Sequence, residues 1–216
     1  MGLVLDPLAP EVRAGWRAWN APFEGDVRTM YRDVRGFVTC AVGFLINSPQ
    51  AATALRWSNN DGSPASTAAV VAEWHRVFSM PPALAWYAYA GGATVRLGDD
   101  EIERITLQRL DEDAQALLVS FPDLGSYPPE VQTALCSLAW AMGAWWPRTW
   151  PHLSASVRAQ DWHACALNCA INAEGNPGVI PRNRAQAAAF EAAANGAPTL
   201  RPESIAPPVD TSGEAA

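Results

Sequence analysis

The chain has 216 residues, 49% of them apolar and 17% charged, which suits one globular domain with a sizeable core and flexible ends. Its formal net charge is −7 and every basic residue is arginine, so it offers no basic cluster for nucleic acid and no polybasic stretch for anionic lipid. Cys40, Cys136, Cys165 and Cys169 form no C-x-x-C pair and build no zinc pattern with His75, His152 and His163, so free buried thiols in a reducing compartment are expected.

The first residues, MGLVLDPLAPEVRAG, lack a basic segment followed by an apolar one, so synthesis in the cytoplasm without a signal peptide is expected. Residues 1–9 read as an N-terminal extension, and no apolar run reaches membrane-spanning length, so no membrane insertion is expected. Val12, Trp16 and Trp19 recur at helical spacing, predicting a helix over 10–23 that Glu24-Gly25 ends. Residues 36–46, GFVTCAVGFLI, read as strand and hairpin, with Asp33 in the turn before them. WSNNDGSPAS (57–66) reads as a loop, followed by a helix over 67–79 with Thr67 as its N-cap.

VRLGDDEIERITLQRLDEDAQALL starts as a strand and becomes a helix near residues 98–100. After a proline-rich loop at 121–129, residues 130–145 carry the run of small and large apolar side chains expected of a buried central helix. WPRTWPHL breaks it, since two prolines do not fit a helix interior. Residues 154–171 and 181–195 read as two more helices, Cys165 and Cys169 sharing a face of the first, and 196–216 as a disordered tail. The expected class is α+β, mainly helical, with a small N-terminal β-hairpin sheet. A β-containing lobe over about 24–98 and a helical lobe over about 99–195 make up the domain.

Cleaving a glycosidic bond needs a proton donor at the leaving oxygen and a second group on the other face of the sugar. Glu24 and Asp33 stand nine residues apart across a helix end and a turn, and Thr39 follows six residues later with a hydroxyl able to hold water. By spacing alone, a solvated helix end and turn explains these residues better than chemistry does. Ten tryptophans are many for this length; most are expected in the core, while Trp145, Trp146 and Trp150 fall together near a cleft mouth.

The whole string E-G-x5-Y-x-D-x2-G-F-V-T-x-x-V-G-x-L, residues 24–45, resembles the catalytic segment of phage lysozymes of glycoside hydrolase family twenty-four, the endolysin muramidases. Gly25, Tyr31, Gly36 and Gly43 match beside Glu24, Asp33 and Thr39. VQTALCSLAWAMG (131–143) looks like the family's central helix, DWHACALNCAIN (161–172) resembles its W-x-x-A-x-x-N helix, and PRNRAQAAAF (181–190) its P-N-R-A segment. The resemblance spans residues 10–195 and is weakest over 46–98. Secretion-delivered toxins and pesticin-like proteins share this domain. Ala41 stands for a glycine, Phe44 for a structural histidine, and the acidic balance departs from the often basic family members.

The resemblance implies a two-lobed phage-lysozyme-like fold and a muramidase hydrolysing the β-1,4 bond between N-acetylmuramic acid and N-acetylglucosamine with inversion. Glu24 would be the general acid, and Asp33 and Thr39 would position water. It further implies Leu45, Trp140, Asn168 and Arg184 as substrate-binding residues, although Trp140 suits core packing equally well. No cofactor or metal is required. The partners implied are peptidoglycan glycan strands and a delivery partner (a holin, a phage tail or a secretion machine) that brings the protein to the periplasmic wall. Open alternatives are a catalytically inactive lysozyme-fold structural or glycan-binding module such as a virion component, a lytic transglycosylase, and a chitin-like substrate.

Overall fold

The computed structural model describes residues 6–196. Residues 1–5 of the expected extension, and the expected tail from residue 197 onwards, lie outside the described residues. The chain is mainly helical with small antiparallel sheets, and divides into two compact units. One unit is Glu24–Arg109; the other joins the residues up to Phe23 to those from Leu110 onwards. The first helix therefore belongs largely with the later helices rather than with the sheet that follows it.

Glu24–Arg109 holds both sheets. Strands β1 (Val27–Arg32), β2 (Val38–Ala41) and β3 (Phe44–Leu45) form an antiparallel sheet in that order. Residues 36–46 are hairpin as expected, but β1 was not expected. It pairs Val27 with Ala41 and Tyr31 with Thr39, so four steps along β1 oppose two along β2. A bulge of this kind breaks the alternation by which a strand is recognised. Helix α2 (Pro49–Thr53) follows, then β4 (Trp57–Asn59), which pairs with β5 (Val95–Leu97). The expected loop at 57–66 thus opens on a strand, formed because β5 arrives from far along the chain. Helix α3 (Thr67–Ser79) has the expected span, but Ser66 is its N-cap, accepting from the Ala69 amide. The Ser66 backbone is extended, as capping requires, while Thr67 is already in the helix. Helix α4 (Trp86–Ala90) and the start of α5 (Asp99–Leu117) complete the unit. Val38, Cys40, Val42, Ile46, Val95 and Leu97 are buried in its core, and the indole of Trp74 donates to the Ile46 carbonyl at 2.8 Å.

The other unit is helical. Helix α1 (Pro10–Glu24) buries Val12, Trp16 and Trp19 on one face, as their spacing predicts. Helix α6 (Pro129–Met142) is central: every residue from Glu130 to Trp140 is buried, and Gly143 at φ +86° ends it. The expected single helix over 154–171 is two, α7 (Pro151–Arg158) and α8 (Trp162–Asn168). Gln160 between them takes φ +54°, and the Asp161 side chain caps α8 by accepting from the Ala164 amide at 2.9 Å. Helix α9 (Ile180–Ala194) packs on α6 and α8. Its buried Arg182 donates to the Ser137 carbonyl at 3.1 Å and hydroxyl at 3.2 Å, and Gln186 reaches the same hydroxyl. Asn183 brackets Ile171, accepting from its amide and donating to its carbonyl.

Six of the ten tryptophans, Trp16, Trp19, Trp57, Trp74, Trp140 and Trp146, are buried, as expected for the majority. Each such side chain contributes about 1.5–3 kcal/mol of transfer free energy. All four cysteines are free and buried. Burial raises the thiols of Cys40 and Cys136 far above the usual range, pushes Cys165 up to about 12, and pushes Cys169 up to about 11. No helix of the described residues is long and apolar enough to cross a membrane.

Candidate active site

Glu24, Asp33 and Thr39 all fall in the sheet-containing unit. Glu24 ends α1, where Gly25 at φ +80° turns the chain into β1. Its carboxylate lies against the hairpin between β2 and β3. A methyl added at Gly43 would stand 2.8 Å from Glu24 Oε2, closer than real side chains approach, and Gly43 itself sits at φ +68°. Both the contact and the backbone demand glycine there. Arg109 donates to the Gly43 carbonyl at 3.3 Å, holding the hairpin tip from α5.

Asp33 organises the turn between β1 and β2. Its Oδ1 accepts from the amides of Arg35 (2.9 Å) and Phe37 (2.8 Å), and its own amide and carbonyl bond to Phe37 and Gly36. The other carboxylate oxygen, Oδ2, accepts no hydrogen bond among the described residues.

Thr39 pairs with Tyr31 on β1 and with Leu45 on β3, so these three side chains form one row across one face of the sheet. Thr39 is 4% exposed and its hydroxyl donates to the Phe37 carbonyl at a long 3.4 Å. Leu45 is exposed at the end of the row. Burial first, then the negative charge of Glu24 and more weakly that of Asp33, push the Tyr31 phenol well above the usual range. A phenol that stays protonated beside two carboxylates is a hydrogen-bond donor, not a base. The motif match includes Tyr31, but its position opposite Thr39 depends on the bulged register of β1.

Ala41 takes φ +51° with its methyl fully buried. The position thus has the backbone of a glycine, although an alanine fills it. Phe44, where the resemblance has a histidine, pairs with Cys40 across the hairpin.

The remaining sequence-derived candidates lie in the other unit. Trp140 is buried on α6 with its ring 5.7 Å from that of Trp16. Asn168 is exposed at the end of α8, donating to the Ala164 carbonyl at 2.7 Å. It lines a cavity of about 260 Å³ with Trp150 and His152. Arg184 is exposed on α9, and the arginine that anchors this helix is Arg182 instead, two residues earlier. Trp146 packs between Phe121 and Trp150, while Trp145 is exposed under the guanidinium of Arg148. Among the described residues no group of three or more His, Cys, Asp or Glu could hold a metal ion.

No protein-family model matches the chain, and no curated protein matches it either.

Proposed function

We propose that this protein is a muramidase of phage-lysozyme type, hydrolysing the β-1,4 bond between N-acetylmuramic acid and N-acetylglucosamine, with the lysozyme-like architecture as part of the same reading. The observation that carries it is the approach of the Glu24 carboxylate to the β2–β3 hairpin at Gly43, with Asp33 fixed in the turn that leads into β2 and Thr39 opposite Tyr31 on that strand. Two carboxylates on different elements, the end of a helix and a turn, suit bond cleavage better than two on one helix. The resemblance of residues 24–45 supports the same assignment.

Glu24 protonates the leaving oxygen. Its position is set by Gly43, which lets the carboxylate lie directly on the hairpin backbone. Asp33 is held by two amides on Oδ1, which fixes its plane and leaves Oδ2 to orient or deprotonate a water on the opposite side of the sugar. Thr39 adds an acceptor to that water when its long bond to Phe37 yields. Leu45, exposed on the same row, offers an apolar contact to the ring. The reaction so written uses no cofactor. The roles of Trp140, Asn168 and Arg184 rest on the resemblance alone, as do action on the periplasmic wall and a delivery partner such as a holin, phage tail or secretion machine.

Glu24→Gln keeps the size of the side chain and removes the proton donor. Loss of a general acid costs roughly 10²–10⁴-fold in rate. Release of reducing ends from purified peptidoglycan should fall by that factor while the circular dichroism spectrum is unchanged. Full activity in Glu24→Gln would overturn the assignment. Mass spectrometry of the wild-type products checks the chemistry, since hydrolysis adds a water to each new end and transglycosylation leaves an anhydro sugar.

A further inference from the structure

An acidic chain meets an anionic polymer at a disadvantage, since peptidoglycan carries carboxylates on its stem peptides and the net charge here is −7. The charge is unevenly distributed, however. Between residues 34 and 98 the carboxylates are Asp61 and Glu73 alone, against Arg35, Arg56, Arg76 and Arg96. Arg56 is paired with Glu101 and Arg76 with Glu73, which leaves Arg35 and Arg96 without an ion pair among the described residues.

The same segment exposes large apolar side chains in two places. Val34 (84% exposed) and Phe37 lie in the turn after β1, and Phe78, Leu84, Trp86 (54%) and Tyr87 (67%) lie between the end of α3 and the start of α4. These places are bound to each other. Arg32 Nη1 donates to the carbonyls of Phe78 (3.0 Å) and Met80 (2.7 Å), and its guanidinium lies 5.1 Å from the Phe78 ring centre. The Ala83 amide donates to the Asp33 carbonyl at 3.3 Å. The Tyr89 hydroxyl donates to Pro81 at 2.7 Å and accepts from the Leu84 amide at 3.3 Å. These bonds hold Ala83 at φ +61°, a conformation it would not adopt unaided. The exposed rings therefore stand on a braced backbone.

Arginine is interleaved with the rings. Arg35 lies over Phe37 at 5.6 Å, and neither Arg32 nor Arg35 forms an ion pair among the described residues. Asp33, the one carboxylate between them, has its Oδ1 turned to the amides of the turn. Arg32 is engaged by the carbonyls of Gly36, Phe78 and Met80, so Arg35 is the cation this face offers beside its exposed tryptophan, tyrosine and phenylalanine. That combination matches a ligand with apolar ring faces and carboxylates.

We propose that this face, carried by Arg35, Phe37, Phe78, Trp86 and Tyr87, docks the protein on insoluble peptidoglycan, the rings meeting sugar faces and Arg35 meeting a stem-peptide carboxylate. The inference rests on the muramidase reading and names where the wall is gripped beyond the bond being cut. Its Phe78, Trp86 and Tyr87 fall in residues 46–98, where the resemblance is weakest.

The test is co-sedimentation of the full chain with purified insoluble peptidoglycan, in a Glu24→Gln background that prevents digestion. The double substitution Trp86→Ser with Tyr87→Ser, and separately Arg35→Ser, should each weaken sedimentation about tenfold or more, whereas Val119→Ser, an equally exposed apolar position in the other unit, should not. Raising salt should weaken the parent and spare Arg35→Ser. Unaltered sedimentation of both patch variants, with melting temperatures equal to the parent's, overturns the proposal. So does patch-dependent capture by vesicles of phosphatidylglycerol and phosphatidylethanolamine without capture by peptidoglycan. Reducing-end release by the wild type, measured in parallel, tests the hydrolase reading by itself: release with patch-independent sedimentation removes only the docking face, and patch-dependent sedimentation without release removes only the hydrolase.

Discussion

Two small sheets share the unit Glu24–Arg109, and their carboxylates are dressed very differently. Beside the β4–β5 sheet, Glu101 accepts from the Arg56 amide (3.1 Å), from Arg56 Nε (2.5 Å) and from two nitrogens of Arg104 (2.8 and 2.6 Å). Glu73 nearby takes both Arg76 nitrogens and the amide and hydroxyl of Thr94. At the three-stranded sheet, Asp33 has two neutral amides on one oxygen. A carboxylate saturated by guanidinium donors is committed to the fold, because any new partner must first displace a charged one. One held by amides on a single oxygen keeps its geometry and retains acceptor capacity for a substrate or a water. On the proposed reading, this difference between Glu101 and Asp33 separates a carboxylate of the fold from one that acts on substrate.

Glu101→Gln tests the structural side and should have the largest effect on stability. It removes a buried, charged acceptor, at a cost of about 2–3 kcal/mol, held to that range because the arginines are partly exposed and rehydrate. Burial opposes ionisation of Glu101, but the bonds from Arg104 and Arg56 outweigh it and hold the carboxyl down to about 2, against an ordinary 4.5. The folded value lies below the unfolded one, so its contribution is full above the ordinary value and is lost as pH falls from there towards about 2. Acid unfolding followed by circular dichroism should show this loss in the wild type and a flatter profile in Glu101→Gln. Activity per folded molecule should not change.

Gly43→Ala tests the chemical side and should do the reverse. The left-handed backbone costs about 1–2 kcal/mol with a side chain present. The added methyl also pushes the Glu24 carboxylate aside, and a misplacement of about 1 Å at a reacting group costs up to about 10²-fold in rate. A loss of activity no larger than the loss of stability would erase the contrast between the two sheets. The smallest effect is expected at α3: Ser66→Ala should cost about 1 kcal/mol by loss of the cap, and Thr67→Ala less than about 0.5 kcal/mol. Thermal melts of the two, side by side, separate them.

How far the chain discloses this in its letters varies with the range of the interactions. Helix α1 and its end at Glu24 are legible, since Trp16, Trp19 and Gly25 are local signals. So is α6, where apolar residues are continuous and Gly143 stops the helix. Strand β1 is not, because its bulge breaks the alternation, and β4 is only three residues whose pairing with β5 crosses α3 and α4. The break between α7 and α8 falls on Gln160, which carries neither the permissiveness of glycine nor the ring of proline to announce it. At the candidate site, Glu24, Asp33 and Thr39 are singled out by the resemblance of residues 24–45, since their spacing alone does not mark them. The part played by Tyr31 and the approach of Glu24 to Gly43 depend on register and on a hairpin tip, which no local pattern encodes.

The four buried cysteines give the molecule a pair of internal clocks. A thiol reacts as its thiolate, and burial suppresses both the thiolate and access to it, so a folded chain should be slow to take up an alkylating reagent. Cys40 sits in the sheet of one unit and Cys136 in the central helix of the other. Their labelling rates, read peptide by peptide, would time the opening of each unit separately without a single engineered probe.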